Sequence, residues 1–209
     1  IAKGIAIIAV VLLHISHLYP GNGILPITEL LGGLWHVPVF FIIGGFFVKE
    51  ERLLQPISFI RGKFNSLYLL ILKIYIPVLL LHNVCLCIGF YDVTIDYDGK
   101  NVTWWGLAEF AKNIFMAIIF AGREPILGAM WFVYVLFMAL CGLSVISFII
   151  KKAIKDKTKY EFCRFVVVLS LAILSCTLTN EFDFTIPRGN NTLTAIWLIY
   201  IGMMVAQKL

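Results

Sequence analysis

The apolar positions of this chain come in unbroken runs rather than in stripes. Residues 4–18 read GIAIIAVVLLHISHL and residues 30–48 read LLGGLWHVPVFFIIGGFFV. Further runs follow at 66–90, 107–121, 127–150, 165–179 and 192–206. A crossing of the bilayer core needs about 20 apolar residues, and in lipid an unpaired backbone is tolerated only as helix or closed barrel. The pattern therefore predicts an all-α fold: a polytopic transmembrane helix bundle in one domain, 1–209. Between the first two runs lie Pro20, Gly21, Asn22, Gly23 and Pro26, a turn-rich loop without Lys or Arg. The stretches 49–63 and 151–164 are basic loops, and residues 91–103 are polar, with Asp92, Asp96 and Asp98.

Charge decides how many runs cross. With the first run entering from inside, twelve of the 17 cationic residues fall on the inner side, provided that 107–121 does not span. If it did span, the basic stretch 151–164 would face outward, against the positive-inside rule. The run is also only about fifteen residues long and carries Glu109 and Lys112. About six spans plus one re-entrant or interfacial segment result, with both ends cytosolic. Composition agrees: 61% of residues are hydrophobic and 14% charged, and the mean hydropathy is +0.94. Soluble domains hold about 25% charged residues. The net charge of +5 is thus topological and implies no nucleic acid. Cys85, Cys87, Cys141, Cys163 and Cys176 show no C-x-x-C spacing, so no metal site is expected. The chain opens at a span boundary without Met, and a fragment is expected.

Two histidines stand deep in these runs. Lys3 precedes His14 by eleven residues, which on a helix leaves the two about 20° apart and roughly 16 Å apart along the axis. His14 and His36 each lie three residues outward of the centre of their span, roughly 4–5 Å beyond the midplane. Gly32, Gly33, Gly44 and Gly45 would let the two helices approach closely, and Pro38 frees a carbonyl beside His36. A lone intramembrane His can simply bond a neighbouring helix. Two at matched depth, one sharing a face with a cation, point instead to chemistry. His17 and His82 read as interfacial residues, and Trp131 by itself as part of the aromatic belt.

The sequence KGIAIIAVVLLH, with Lys3 and His14 in a K/R-x10-H arrangement, resembles the first span of the membrane-bound acyltransferase-3 family. His36 to Phe46, HVPVFFIIGGF, resembles that family's H-x-P-x-F-F-x-x-x-G-[FY] pattern, in the form of the sugar acetylase and exopolysaccharide succinylase branch. Gly128 to Val133, GAMWFV, resembles its W-F-[LV] helix start. Family members are longer, so C-terminal spans are expected beyond this chain. The family often has paired arginines after its second span, where this chain has only Arg61-Gly62-Lys63.

The resemblance implies an integral-membrane O-acyltransferase of the bacterial inner membrane. It would move an acyl group, acetyl being favoured, from cytosolic acyl-CoA to a hydroxyl of an envelope or exopolysaccharide sugar. The implied partners are the lipid bilayer, acyl-CoA as donor substrate and a sugar or polysaccharide acceptor, with no permanently bound cofactor. Catalytic candidates are His14 and His36, the former as general base or as acylated nucleophile. Lys3, Arg61 and Lys63 would hold the donor phosphates, with Trp131 and Glu124 as further substrate contacts. Glu109 or Glu124 would supply a carboxylate, since no Asp or Glu lies inside an expected span. A proton-coupled secondary transporter using buried histidines stays open as an alternative, although such carriers often use intramembrane carboxylates. So does a non-catalytic subunit of a polysaccharide-synthesis complex.

Overall fold

The computed structural model describes residues 36–91, 102–119, 127, 130–180 and 189–208. Nine α-helices and one π-helical turn occupy them, and no strand occurs among the described residues. In chain order the helices are α1 His36–Phe46, α2 Glu50–Leu53, α3 Pro56–Lys63, α4 Leu69–Leu80 and α5 His82–Cys87. They continue with α6 Leu107–Ile118, α7 Trp131–Ala153, α8 Lys157–Asn180 and α9 Gly189–Lys208; the π turn, Phe64–Tyr68, joins α3 to α4. Three helical stretches among the described residues are long and apolar enough to cross a membrane: Pro56–Leu80, Trp131–Ala153 and Lys157–Thr179. At 1.5 Å per residue each reaches roughly 35 Å, against a core of about 30 Å.

The chain forms two compact units. One comprises the described residues up to Ile60 together with those from Met138 onward; the other is Arg61–Phe137. In the first, α9 packs on both α1 and α8. Its buried positions Ala195, Ile196, Ile199, Gly202 and Met203 recur at helical spacing along one face. In the second, α4 packs against α6, around Tyr68, Ile71, Tyr75, Leu79 and Tyr134.

Several limits differ from the sequence expectation, each for a local reason. The run expected as a span over 66–90 begins ten residues earlier, at Pro56, and is broken at Leu81. Proline is well placed at a helix start because its missing N–H would be unpaired there anyway. The three residues Arg61, Gly62 and Lys63, expected in a loop, are therefore helical. Beyond Leu81 the short α5 ends in a Schellman arrangement: the Phe90 N–H bonds the Cys85 carbonyl and the Gly89 N–H that of Leu86. Gly89 has φ +70°, the left-handed conformation that favours glycine at this position. Likewise the basic stretch 151–164 is mostly helix, since α8 starts at Lys157. Asp156 caps it, its Oδ1 accepting the Lys159 N–H at 2.8 Å.

Within the run 107–121 the described residues Leu107–Ile118 form a helix of their own, α6, of twelve residues, shorter than a crossing needs. Glu109 reaches back to accept the Gly106 N–H at 3.1 Å, half of a capping box. At the other end the Ala117 carbonyl accepts the Tyr134 hydroxyl at 2.8 Å. The Ile118 carbonyl accepts the Tyr68 hydroxyl at 2.9 Å. Two tyrosines thus satisfy carbonyls that the helix end leaves open.

Candidate functional site

The H-x-P-x-F-F helix is α1. Apart from His36 it is apolar, with Phe41 buried, and where it meets α9 each helix sets a glycine against the other's backbone. A Cβ added at Gly45 would overlap the Ile199 carbonyl, and one added at Gly202 would overlap the Ile42 carbonyl. The two glycines admit each other's neighbouring backbone, the close approach that small residues allow between membrane helices. The motif glycine of HVPVFFIIGGF is therefore a packing requirement: it sets how near the helix carrying His36 lies to α9.

After α1 the chain makes one short turn into α2, and Glu50 there meets a buried cation. Arg164 on α8 is 1% exposed. Its Nη1 donates to both Glu50 oxygens, at 2.6 and 2.8 Å, and its Nη2 donates to Glu161 at 2.6 Å. The Tyr160 hydroxyl donates to Glu50 at 2.6 Å. The guanidinium lies over two rings, 4.7 Å from the Tyr160 centroid and 5.1 Å from that of Tyr200 on α9. The Ser144 hydroxyl on α7 fixes α2 again, donating to the Leu53 carbonyl at 2.6 Å. One arginine thus gathers α2, α8 and α9, and two carboxylates neutralise it. Such a group orders its surroundings and is a poor receptor for a further anion.

The other unit has its own buried imidazole. The His82 ring stacks on Trp105 at 3.6 Å with the planes 8° apart, and its Nε2 lies 3.0 Å from the Thr103 carbonyl. Beside it the Asn83 amide holds the Trp105 backbone twice, accepting its N–H at 2.9 Å and donating to its carbonyl at 2.8 Å. These contacts pin the stretch that leads into α6, and they give His82 a packing role.

Of the residues proposed from sequence, Lys3, His14 and Glu124 lie outside the described residues, and His36 is described only as the first position of α1. Arg61 and Lys63 both fall on α3, Arg61 exposed and Lys63 half-buried. Two residues apart on a helix, they project roughly 200° from each other and do not form one cationic patch. Trp131 stands at the start of α7, as its W-F-V motif suggests. What sequence reasoning missed is Arg164 with Glu50 and Tyr160. Arg164 counted among the topological cations of a basic loop. The available signal was its place directly before the apolar FVVV, four residues after a tyrosine and so on that tyrosine's helix face.

A family model described as Acyltransferase domain matches residues 1–209. No curated protein and no solved structure matches the chain. The match covers the whole chain and agrees with its long apolar helices and with the H-x-P-x-F-F helix built against α9. The chain belongs to the acyltransferase-3 family and is a membrane acyltransferase.

Proposed function

We propose that this enzyme takes an acyl group, acetyl being favoured, from cytosolic acyl-CoA and places it on a sugar hydroxyl of an envelope or exopolysaccharide. The observation that carries this is the eleven-residue spacing of Lys3 and His14 in a chain of this family. On a helix that spacing sets a cation and an imidazole about 20° apart on one face, roughly 16 Å from each other. The donor is polyanionic and cytosolic, whereas the acceptor is assembled at or beyond the outer face. A group near mid-depth, reachable from both sides, meets that need.

Lys3 and Arg61 hold the phosphates of CoA at the inner mouth by charge. Lys63, on another side of α3, steadies the same approach. The pantetheine arm lies along the Lys3–His14 face. A neutral imidazole has one unprotonated ring nitrogen that can accept a proton or attack a carbonyl. As general base, His14 removes the proton of the sugar hydroxyl as its oxygen attacks the thioester carbonyl. The carbon–sulfur bond breaks, and the proton passes to the departing CoA sulfur. As nucleophile, the His14 ring nitrogen attacks the thioester carbonyl, the carbon–sulfur bond breaks and CoA leaves as the thiol with the imidazole proton; the sugar hydroxyl then attacks the acyl-imidazole and its proton returns to the ring as the carbon–nitrogen bond breaks. His36 assists from the antiparallel helix, while Trp131 and Glu124 contact the acceptor side.

The test is the acyl content of surface glycan in cells with and without the full-length gene, and with His14→Ala at matched expression. Loss of acylation in both is expected. Normal acylation with a well-expressed His14→Ala protein would end this mechanism.

A further inference from the structure

The acyl-transfer reading makes α1 the helix that brings His36 to the reaction, yet nothing in that reading says what fixes its angle. α9 packs along α1, with Gly45 over Ile199 and Gly202 over Ile42, so any tilt at that crossing is magnified at the far end of the helix. His36 lies nine residues from Gly45, roughly 14 Å along the helix. A swivel of about 4° at the crossing therefore moves the far end by about 1 Å. A displacement of that size can cost about a hundredfold in rate. An attachment past the other end of α1 adds to the hold of that packing.

We infer that Arg164 is a positioning residue for acyl transfer: it fixes the angle of α1 by clamping Glu50, just past the end of that helix, to α9. Glu50 follows Gly45 by five residues, past the turn that ends α1 at Phe46, whereas His36 stands at the other end of that helix. Tyr200 directly follows Ile199, whose carbonyl faces Gly45. Arg164 touches both: it donates to the two oxygens of Glu50 while its guanidinium covers the Tyr200 ring. The Tyr160 hydroxyl donates to the same carboxylate, and Glu161 holds the second amino group of the guanidinium. A planar fork bonded at both terminal nitrogens and set against two rings resists rotation in a way a single ammonium does not. The bond lies at 1% side-chain exposure on the arginine, where salt screens little.

This inference rests on the acyl-transfer reading, and the test separates the two. Full-length protein in membrane vesicles is given labelled acetyl-CoA and envelope glycan from its host. The variants are Arg164→Lys, which keeps the charge but loses the fork, and Glu50→Gln, which keeps an acceptor oxygen but loses the charge. Ser175→Ala serves as a control for lost stability. It removes a buried bond from the Ser175 hydroxyl to the Asn190 carbonyl between α8 and α9, away from Glu50.

Arg164→Lys should lower kcat roughly ten- to a hundredfold while KM for acetyl-CoA stays within about twofold, because only the angle of α1 has changed. Glu50→Gln should do the same to a smaller degree, and it carries the test by itself if Arg164→Lys does not accumulate. Ser175→Ala should lower the melting temperature and leave kcat alone. Unchanged kcat in Glu50→Gln, or a kcat loss in Ser175→Ala matching its fall in melting temperature, would overturn the positioning role. Wild-type protein that labels no glycan would overturn the acyl-transfer reading, and the positioning role with it.

Discussion

The carbonyls of Ala117 and Ile118 close α6 on the hydroxyl groups of Tyr134 and Tyr68. That makes Tyr134 and Tyr68 exposed to a simple test. Tyr134 is 1% exposed and bonds Ala117 at 2.8 Å; removing its hydroxyl leaves a buried carbonyl without that donor, at a cost of about 1–3 kcal/mol. Tyr134→Phe should therefore lower the melting temperature of the detergent-solubilised protein, and Tyr68→Phe should lower it less, since that bond is only part-buried. Equal melting of Tyr134→Phe and wild type would mean that another donor takes over. At the same scale, Arg61 and Lys63 point to different sides of α3. Arg61→Gln should raise KM for acyl-CoA and flatten its dependence on salt, because an exposed cation acts through a screened field. Lys63→Gln should do so less. Equal effects from the two would contradict their placement on opposite sides of one helix.

Among the elements, α6 has the clearest division of faces. Ala117 is buried, whereas Leu107, Phe115 and Ile118 are exposed at 90%, 59% and 41%, and these three lie within about 80° of one another on the helix. Glu109 and Lys112 occupy a separate sector. An exposed apolar face beside a charged one suits a helix lying in the membrane interface. Phe115→Trp should be quenched strongly by lipids brominated in their acyl chains, and Lys112→Trp weakly; equal quenching would remove the orientation. Much at this scale was legible in the sequence. The length of the 107–121 run and its two charges point to a short helix with a polar sector, and the described helix Leu107–Ile118 carries both charges, because each depends on local chemistry. The starts of α3 and α8 were not legible as helix, because hydropathy reports where a helix is greasy and says nothing of its polar turns. Pro56 and Asp156 were the signals there, and both are capping signals.

For the whole molecule, the expected count of about six crossings rests partly on residues 1–35, which lie outside the described residues; three described helices meet the length and hydropathy for a span. The distribution of charge predicts a sidedness, and labelling can check it. In a cysteine-free background, Lys100→Cys and Arg123→Cys should react with an impermeant thiol reagent added outside cells. Lys155→Cys, an exposed site in the turn before α8, should react only after permeabilisation. Labelling of Lys155→Cys from outside with protection of Arg123→Cys would invert the topology that places both histidines. The candidate site was less legible than the fold for a related reason. Arg164 sits among cations that serve topology, and a sequence cannot distinguish a guanidinium that faces water from one held by Glu50. Only the packing of α2 against α8 separates them.

The notch at Gly45 and Gly202 has a genetic consequence. When a core side chain grows too large, a second mutation that trims its neighbour can restore the fit. Here each glycine faces a carbonyl of the main chain, and no substitution shortens a carbonyl. Gly45→Ala should therefore lack intragenic suppressors at Ile199, and Gly202→Ala at Ile42. Revertants selected for restored surface acylation should recover the glycine itself rather than accumulate compensating changes on the opposite helix.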